Sequence, residues 1–266
     1  MGLLLELAAA YDRVKGSKEP SMRIVLIGVS HWHTPFYLDP LLTMPGMSVI
    51  GVSDPDAARA NEIAAKARCP GFDDYREMCA RLKPDFAFAL GRHCDMAEEA
   101  RFLIAERIPF AMEKPCAITA ADAYDIAARA AQANLFAAVP FVIRYSPLIN
   151  TIREVAAGET VNYIVFKFVG GMVDRYHEQR VPWMLQRATA GGGPLLNLGV
   201  HFLDLCRVLL PDTKLRVVGS AMSKHNYSLT GQIRCRIVAG YGIARILLHP
   251  FLVSAASTRG QSSAPA

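Results

Sequence analysis

Between Met22 and Pro140 the chain alternates short apolar or β-branched runs with longer stretches of helical pattern, and this alternation restricts the fold more than any other feature. Strands joined by helices pair in parallel, because each connection must return from one end of the sheet to the other, and the helices then cover both faces. Residues 23–28, 47–53, 85–90, 109–112 and 135–140 read as the strands. Of the intervening segments, 57–67 is alanine-rich with its charges on one side, 96–107 is amphipathic, and 120–133 follows a capping Thr119 with Asp122 three positions on.

The expected class is therefore α/β, with an N-terminal Rossmann-like, doubly wound parallel sheet. After Pro140 the pattern changes: 147–157 reads as a helix and 161–169 as a strand rich in Val, Ile and Phe. Residues 174–190 are polar and aromatic with little periodicity, and Gly191-Gly192-Gly193-Pro194 then opens a helix running to about Leu210. The division this predicts is a leader at 1–21, a dinucleotide-binding domain at 22–141, a substrate domain at 142–253 and a disordered Ser, Ala, Gly and Pro-rich tail at 254–266. A second methionine, Met22, stands directly before the first strand, so an early start codon would explain the leader. A hydrophobic fraction of 52% supplies ample core.

Composition also narrows the partners. The net charge of +5 lies entirely in the stretch after Asp212, which has 7 basic residues and no acidic one, and no recognisable nucleic-acid module accompanies them. No apolar run reaches the roughly 18 uncharged residues of a membrane-spanning helix. The apolar opening, 1–10, contains Glu6 and has no basic segment before it, unlike a secretory signal. Cys69, Cys79, Cys94, Cys116, Cys206 and Cys235 include no close pair, which fits a reducing cytoplasm rather than a zinc knuckle or a disulfide framework. Neither nucleic acid nor membrane is an expected partner.

The first strand ends Gly28-Val29-Ser30-His31-Trp32-His33, where a dinucleotide loop would read G-x-G-x-x-G. Gly28 allows the tight turn and Ser30 is small enough for backbone amides to approach a pyrophosphate, but His33 stands where the third glycine would. Asp54 ends the second strand 26 residues after Gly28, near the position of the acid that binds the adenine ribose. A carboxylate there repels a 2′-phosphate, which favours NAD over NADP. An Asp54-Pro55 turn is the ordinary alternative. His31 and His33 form an H-x-H pair, yet with no acidic or cysteine partner nearby no metal site is expected.

Glu113-Lys114-Pro115 closes the apolar run 109–112. A strand ending in this tripeptide about 60 residues after the ribose acid resembles the hallmark of the glucose-fructose oxidoreductase and inositol dehydrogenase family, Gfo/Idh/MocA. The similarity covers roughly 22–228. It includes Arg144-Tyr145-Ser146-Pro147 and the glycine-rich run from Gly191 through Asn197 and His201 to Asp204.

The resemblance implies an NAD-dependent dehydrogenase acting on a sugar, cyclitol or related polyol, with a C-terminal α+β domain built on a mainly antiparallel sheet. It implies Lys114, His201 and Asn197 as the catalytic set. Cofactor contacts fall to Gly28, Ser30, His31, Asp54, His93, Glu113 and Lys114, and substrate contacts to Arg144, Tyr176 and Trp183. The chemistry also stands without the resemblance. Removing hydride from an alcohol builds alkoxide character, which calls for a cationic donor and a base titrating near neutrality. Taken singly, Lys114 is also a solvated strand-end lysine and His201 a core histidine.

Two departures matter. The family usually carries Asp where this chain has Asn197, and an amide lacks the charge that would raise the basicity of a neighbouring imidazole; Asp204, three residues beyond His201, reads as structural. His93 occupies the place of an asparagine in a segment, Leu90 to Met96, that many members write Thr-Pro-Asn. From about Gln232 the family-like pattern is lost, which reads as a frameshift or truncation leaving an incomplete sheet. Members pair through that sheet, so a homo-oligomer is implied where it is complete. A non-catalytic dinucleotide-binding regulator, or a degenerate member, is the alternative.

Overall fold

The computed structural model describes residues 21–159, 161, 163–169, 173–212, 215–223, 234–241 and 244–251; the expected leader and tail lie outside them, Ser21 excepted. Six parallel strands form the first sheet: β1 (Met22–Ile27), β2 (Met47–Ser53), β3 (Gly71–Phe72), β4 (Phe86–Ala89), β5 (Phe110–Met112) and β6 (Ala137–Ala138). Their order is β3-β2-β1-β4-β5-β6. The winding reverses between β1 and β4, and such a reversal opens a crevice at the strands' C-terminal ends.

The central strands read as nearly continuous apolar runs because both of their faces are covered. Val25 and Ile27 of β1 pack with Ala87, Ala89, Phe110 and Met112 on one face, while Ile24 and Leu26 pack with Phe86 and Phe88 on the other. The first layer is closed by α3 (Tyr75–Leu82), α4 (Met96–Ala105) and α5 (Ala120–Gln132), and the second by α1 (Thr34–Leu41) and α2 (Ala57–Ala67).

Helix ends follow their caps. Asp56 accepts from the amides of Ala58 and Arg59 to start α2, Asp74 accepts from Arg76 to start α3, and Thr119 accepts from Asp122 to start α5. Helix α4 stops at Ala105, two residues short of the sequence expectation, and Arg107 turns left-handed at φ 55°. Strand β6 is shorter than its apolar run because Leu135 is held by Ala130 at the end of α5 and Pro140 has no amide to pair. Strand β3 and helix α3 were not expected, since two residues of strand leave no alternation to read.

Beyond Pro140, α6 (Pro147–Val155) is capped by Ser146. The second sheet has the order β7-β10-β9-β8, from β7 (Tyr163–Val169), β8 (Arg216–Ser223), β9 (Arg234–Tyr241) and β10 (Ala244–Phe251). Strands β8, β9 and β10 are antiparallel neighbours, and β10 pairs in parallel with β7. Residues 234–241 and 244–251, in which the sequence offered no family-like pattern, thus form paired strands. Helix α7 (Val200–Leu209) lies on this sheet, with Phe202 stacked on Phe166 at 5.1 Å between ring centres. Among the described residues no helix is long and apolar enough to cross a membrane.

Candidate active site

The crevice begins at two glycines. Gly28, leaving β1 at φ 72°, lies so close to the chain leaving β4 that a Cβ on it would sit 2.5 Å from the Cα of Gly91. Only a residue without a side chain allows that approach. From Gly28 the chain turns through a compact loop, with the His31 amide bonded to the Gly28 carbonyl and the Thr34 hydroxyl to the Val29 carbonyl, and enters α1. The first amides of α1 are taken within this turn, Thr34 donating to the His31 carbonyl at 2.9 Å and Phe36 to the His33 carbonyl at 2.8 Å, and Pro35 has none. Asp54 ties this loop to the end of β2, its two oxygens accepting from the amides of Ser30 at 2.6 Å and Asp56 at 2.9 Å.

Glu113 ends β5 as a buried carboxylate. One oxygen accepts from the Tyr37 hydroxyl at 2.6 Å and from His33 Nδ1 at 3.1 Å, and the other accepts from the Lys114 amide at 2.9 Å. Burial opposes its ionisation, but the His33 hydrogen bond and the positive potential of His33, Lys114 and His31 outweigh it and hold the group well below the usual carboxylate range. Lys114, 2% exposed, reaches across to the segment preceding α7, donating to the Asn197 carbonyl at 2.8 Å and to its side-chain oxygen at 2.6 Å. Burial brings the amine down to about 8, with Glu113 opposing and Arg175 adding to the fall. Asn197 lies in a wide turn of helix, Leu195–Gly199, and its amide nitrogen donates to the buried Tyr176 hydroxyl at 3.3 Å.

His201 follows one turn later on α7, set edge-on to Phe141 at 5.9 Å. Burial, with Lys114 next, lowers its imidazole to about 4, so the ring is neutral at pH 7. Asp204 is engaged elsewhere: it receives Arg144 Nε at 3.0 Å and pairs with Arg144 Nη2. The guanidinium of Arg144 is thus bound to a carboxylate of α7.

The remaining expected residues converge. His93 bonds the Ala190 carbonyl through Nδ1 at 3.0 Å, packs edge-on against Trp183 at 5.0 Å, and is lowered to about 4, chiefly by burial. His31 lies 6.4 Å from His93 and 5.9 Å from Trp183, and burial likewise drives its imidazole down. Arg175 sits over the rings of Trp32 and Tyr176 and donates to the Tyr176 hydroxyl at 3.0 Å. Nε2 of His31 and of His93, the indole N–H groups of Trp32 and Trp183, and Nδ1 of His201 are buried and make no hydrogen bond among the described residues. Buried polar atoms are normally satisfied, and several unsatisfied ones in one neighbourhood mark a place that receives a polar ligand. Among the described residues no group suited to a metal ion occurs.

Sequence reasoning singled out neither Tyr37 nor Arg175. The spacing of His33 and Tyr37, one helical turn, was the available signal.

Residues 22–141 match the family profile described as "Oxidoreductase family, NAD-binding Rossmann fold". Over these residues the chain is similar to the NAD-binding domain of the Gfo/Idh/MocA oxidoreductases. Its relatives include trans-1,2-dihydrobenzene-1,2-diol dehydrogenase of the pig, Sus scrofa, 27% identical over 62% of this chain and 48% of that enzyme. The human enzyme of the same name is 25% identical over 64% of this chain and 51% of its own length. The chain thus spans about half the length of the curated relatives it matches. Two solved structures share the fold. An inositol dehydrogenase homolog complexed with NAD+ from Azotobacter vinelandii has a TM-score of 0.78 at 18% identity, covering 92% of this chain and 68% of that one. GenD2 from gentamicin A biosynthesis, in complex with NAD, has a TM-score of 0.76 at 21% identity, covering 88% of this chain and 67% of that one.

Proposed function

We propose that the chain is a Gfo/Idh/MocA-type NAD-dependent dehydrogenase that transfers hydride between the nicotinamide and a hydroxyl-bearing carbon of a sugar, cyclitol or related cyclic polyol. The observation that carries the reading is the meeting of Lys114 and Asn197 deep in the crevice, one helical turn from a neutral His201. The curated relatives are named for a cyclic diol, which supports the substrate class.

The residues at the crevice fit a dinucleotide, since Gly28 and Gly91 bring two loops together without side chains and unsatisfied ring nitrogens gather beside them. Gly28, Ser30 and His31 would hold the pyrophosphate side, Asp54 the adenine ribose, and His93, Glu113 and Lys114 the nicotinamide end. A carboxylate keeps lone pairs after accepting two amides, so Asp54 can also take ribose hydroxyls, and its charge disfavours NADP. When bound, the nicotinamide supplies the hydride acceptor.

The chain's own residues do the proton work. An ammonium has three donors; Asn197 takes two from Lys114 and leaves one for the substrate oxygen as alkoxide character develops. The neutral imidazole of His201 accepts the hydroxyl proton. Tyr176 and Trp183 line the substrate side, and Arg144 acts there through Asp204 and α7. In this reading 22–141 bind the dinucleotide, 142–253 the substrate, and the second sheet pairs two copies. Free thiols at Cys69, Cys79, Cys94, Cys116 and Cys206 suit a cytoplasmic setting.

Uncharged Asn197 and the diversion of Asp204 to Arg144 leave no carboxylate hydrogen-bonded to His201 among the described residues, and that favours a second reading, a dinucleotide-binding regulator without turnover. NADH formation from cyclic diols, cyclitols and sugars, measured beside NADH binding by fluorescence, separates the two. Turnover lost in Lys114→Ala supports the enzyme; binding without turnover on any of these compounds supports the regulator.

A further inference from the structure

The chemistry just described gives no task to His33 and Tyr37, yet both are spent on one oxygen atom. His33 is the residue before α1 and Tyr37 lies a turn inside it, so their side chains leave the same face. Both meet Glu113 Oε2, at 3.1 Å and 2.6 Å. An ionised carboxylate only accepts, so Nδ1 of His33 must carry its hydrogen and the Tyr37 hydroxyl must donate. With the second oxygen held by the Lys114 amide, Glu113 has no free rotation left.

That fixation has an electrostatic consequence. A buried ammonium loses its hydration and tends to shed its proton unless a negative charge is held nearby. The groups facing Lys114 and Glu113 are His31 and His33 from the loop after β1, Tyr37 from α1, His93 from the loop after β4, Arg175 and Tyr176 from the segment after β7, and Asn197 and His201 at α7. Of these only Glu113 itself is an anion, and it is the one group that raises the Lys114 amine against burial and Arg175.

We propose that His33 and Tyr37 are positioning residues, which pin the Glu113 carboxylate so that its charge keeps the Lys114 ammonium protonated and directed at Asn197. The histidine that displaces the third glycine of the dinucleotide loop then links that loop to the proton donor. The proposal rests on the role assigned to Lys114 above, and its test reads the amine directly.

The experiment is a pH titration of the full chain labelled with ε-carbon-13 lysine, followed by NMR, with the Lys114 signal identified by its loss in Lys114→Arg. The wild-type midpoint is expected near 8. Glu113→Gln should lower it by about one pH unit or more. His33→Ala and Tyr37→Phe should move it in the same direction, and His33→Asn, which restores a donor, should recover it. Tyr37→Phe keeps the ring packed on Phe88 at 5.3 Å, so it reports the lost bond even where His33→Ala fails to fold. A midpoint unchanged from wild type in Tyr37→Phe, and in His33→Ala where that variant folds, overturns the proposal whatever Glu113→Gln does. NADH binding and hydride transfer are measured on the same samples. A wild-type chain that does neither defeats the functional reading, while the lysine titration still decides the positioning.

Discussion

Lys114 and Asn197, 83 positions apart in the chain and attached to different sheets, meet at 2.6 Å in the interior. The bond joins the end of a parallel strand to the turn that precedes α7. Asn197→Asp places an anion on the ammonium and raises its affinity for the proton. The alkaline limb of hydride transfer should move upward from about 8, by roughly one unit for a charge at contact distance. A pH profile of NADH formation measures this; a limb that stays in place separates Lys114 from the rate.

Glu99 gives a stability test. It is buried beside Gly91, and burial lifts its carboxyl from 4.5 to about 8, so the folded chain holds a proton that the unfolded chain releases. Its contribution is complete below about 4.5 and is lost as the pH rises through about 8. Glu99→Gln, which cannot ionise, should therefore gain stability over the parent progressively across that window. Urea midpoints measured from pH 5 to pH 8 check it, and equal midpoints throughout would show that Glu99 ionises without penalty.

The glycines at the crevice differ in what a side chain would strike. A Cβ on Gly28 meets backbone atoms of Leu90 and Gly91, whereas a Cβ on Gly91 meets Glu99 Oε1 at 2.0 Å, the end of a side chain. Gly91→Ala should thus be rescued in part by Glu99→Ala, while Gly28→Ala should not. Each single change is expected to cost about 1–3 kcal/mol, the range for overpacking. A double-mutant cycle on thermal midpoints, with NADH affinity measured alongside, provides the check.

Arg144 and Asp204 form a lopsided pair, the arginine side chain 38% exposed and the aspartate 7%. Arg144→Ala abandons a buried charge and should cost about 1–3 kcal/mol, with solvent reducing the figure. Asp204→Asn lets the guanidinium return to water and should cost less. Equal losses in denaturant midpoint would mean that the pair's geometry matters more than its burial.

Much of the first sheet was readable from the chain alone. The run Met47–Ser53 and the helix Ala57–Ala67 have their expected bounds, because a buried apolar strand and a capped helix carry their own signals. Gly71–Phe72 carries none, as its two residues become a strand only by lying against Val52 and Ser53. The site shows the same divide. Gly28, Asp54 and Lys114 stand at strand ends, positions that alternation reveals. What Tyr37 touches depends on how α1 lies across the end of β5, and nothing near Tyr37 in the chain names Glu113. Arg175 is hidden in a stretch of single helical turns with no period to read.

The contact between Gly28 and Gly91 makes each loop the floor of the other. A side chain at Gly28 would strike the backbone of the loop after β4, so the loop after β1 cannot be decorated there by itself. Recombination that splits the chain between β1 and β4 would have to carry a matching partner across, so this crevice is handed on as a single heritable piece.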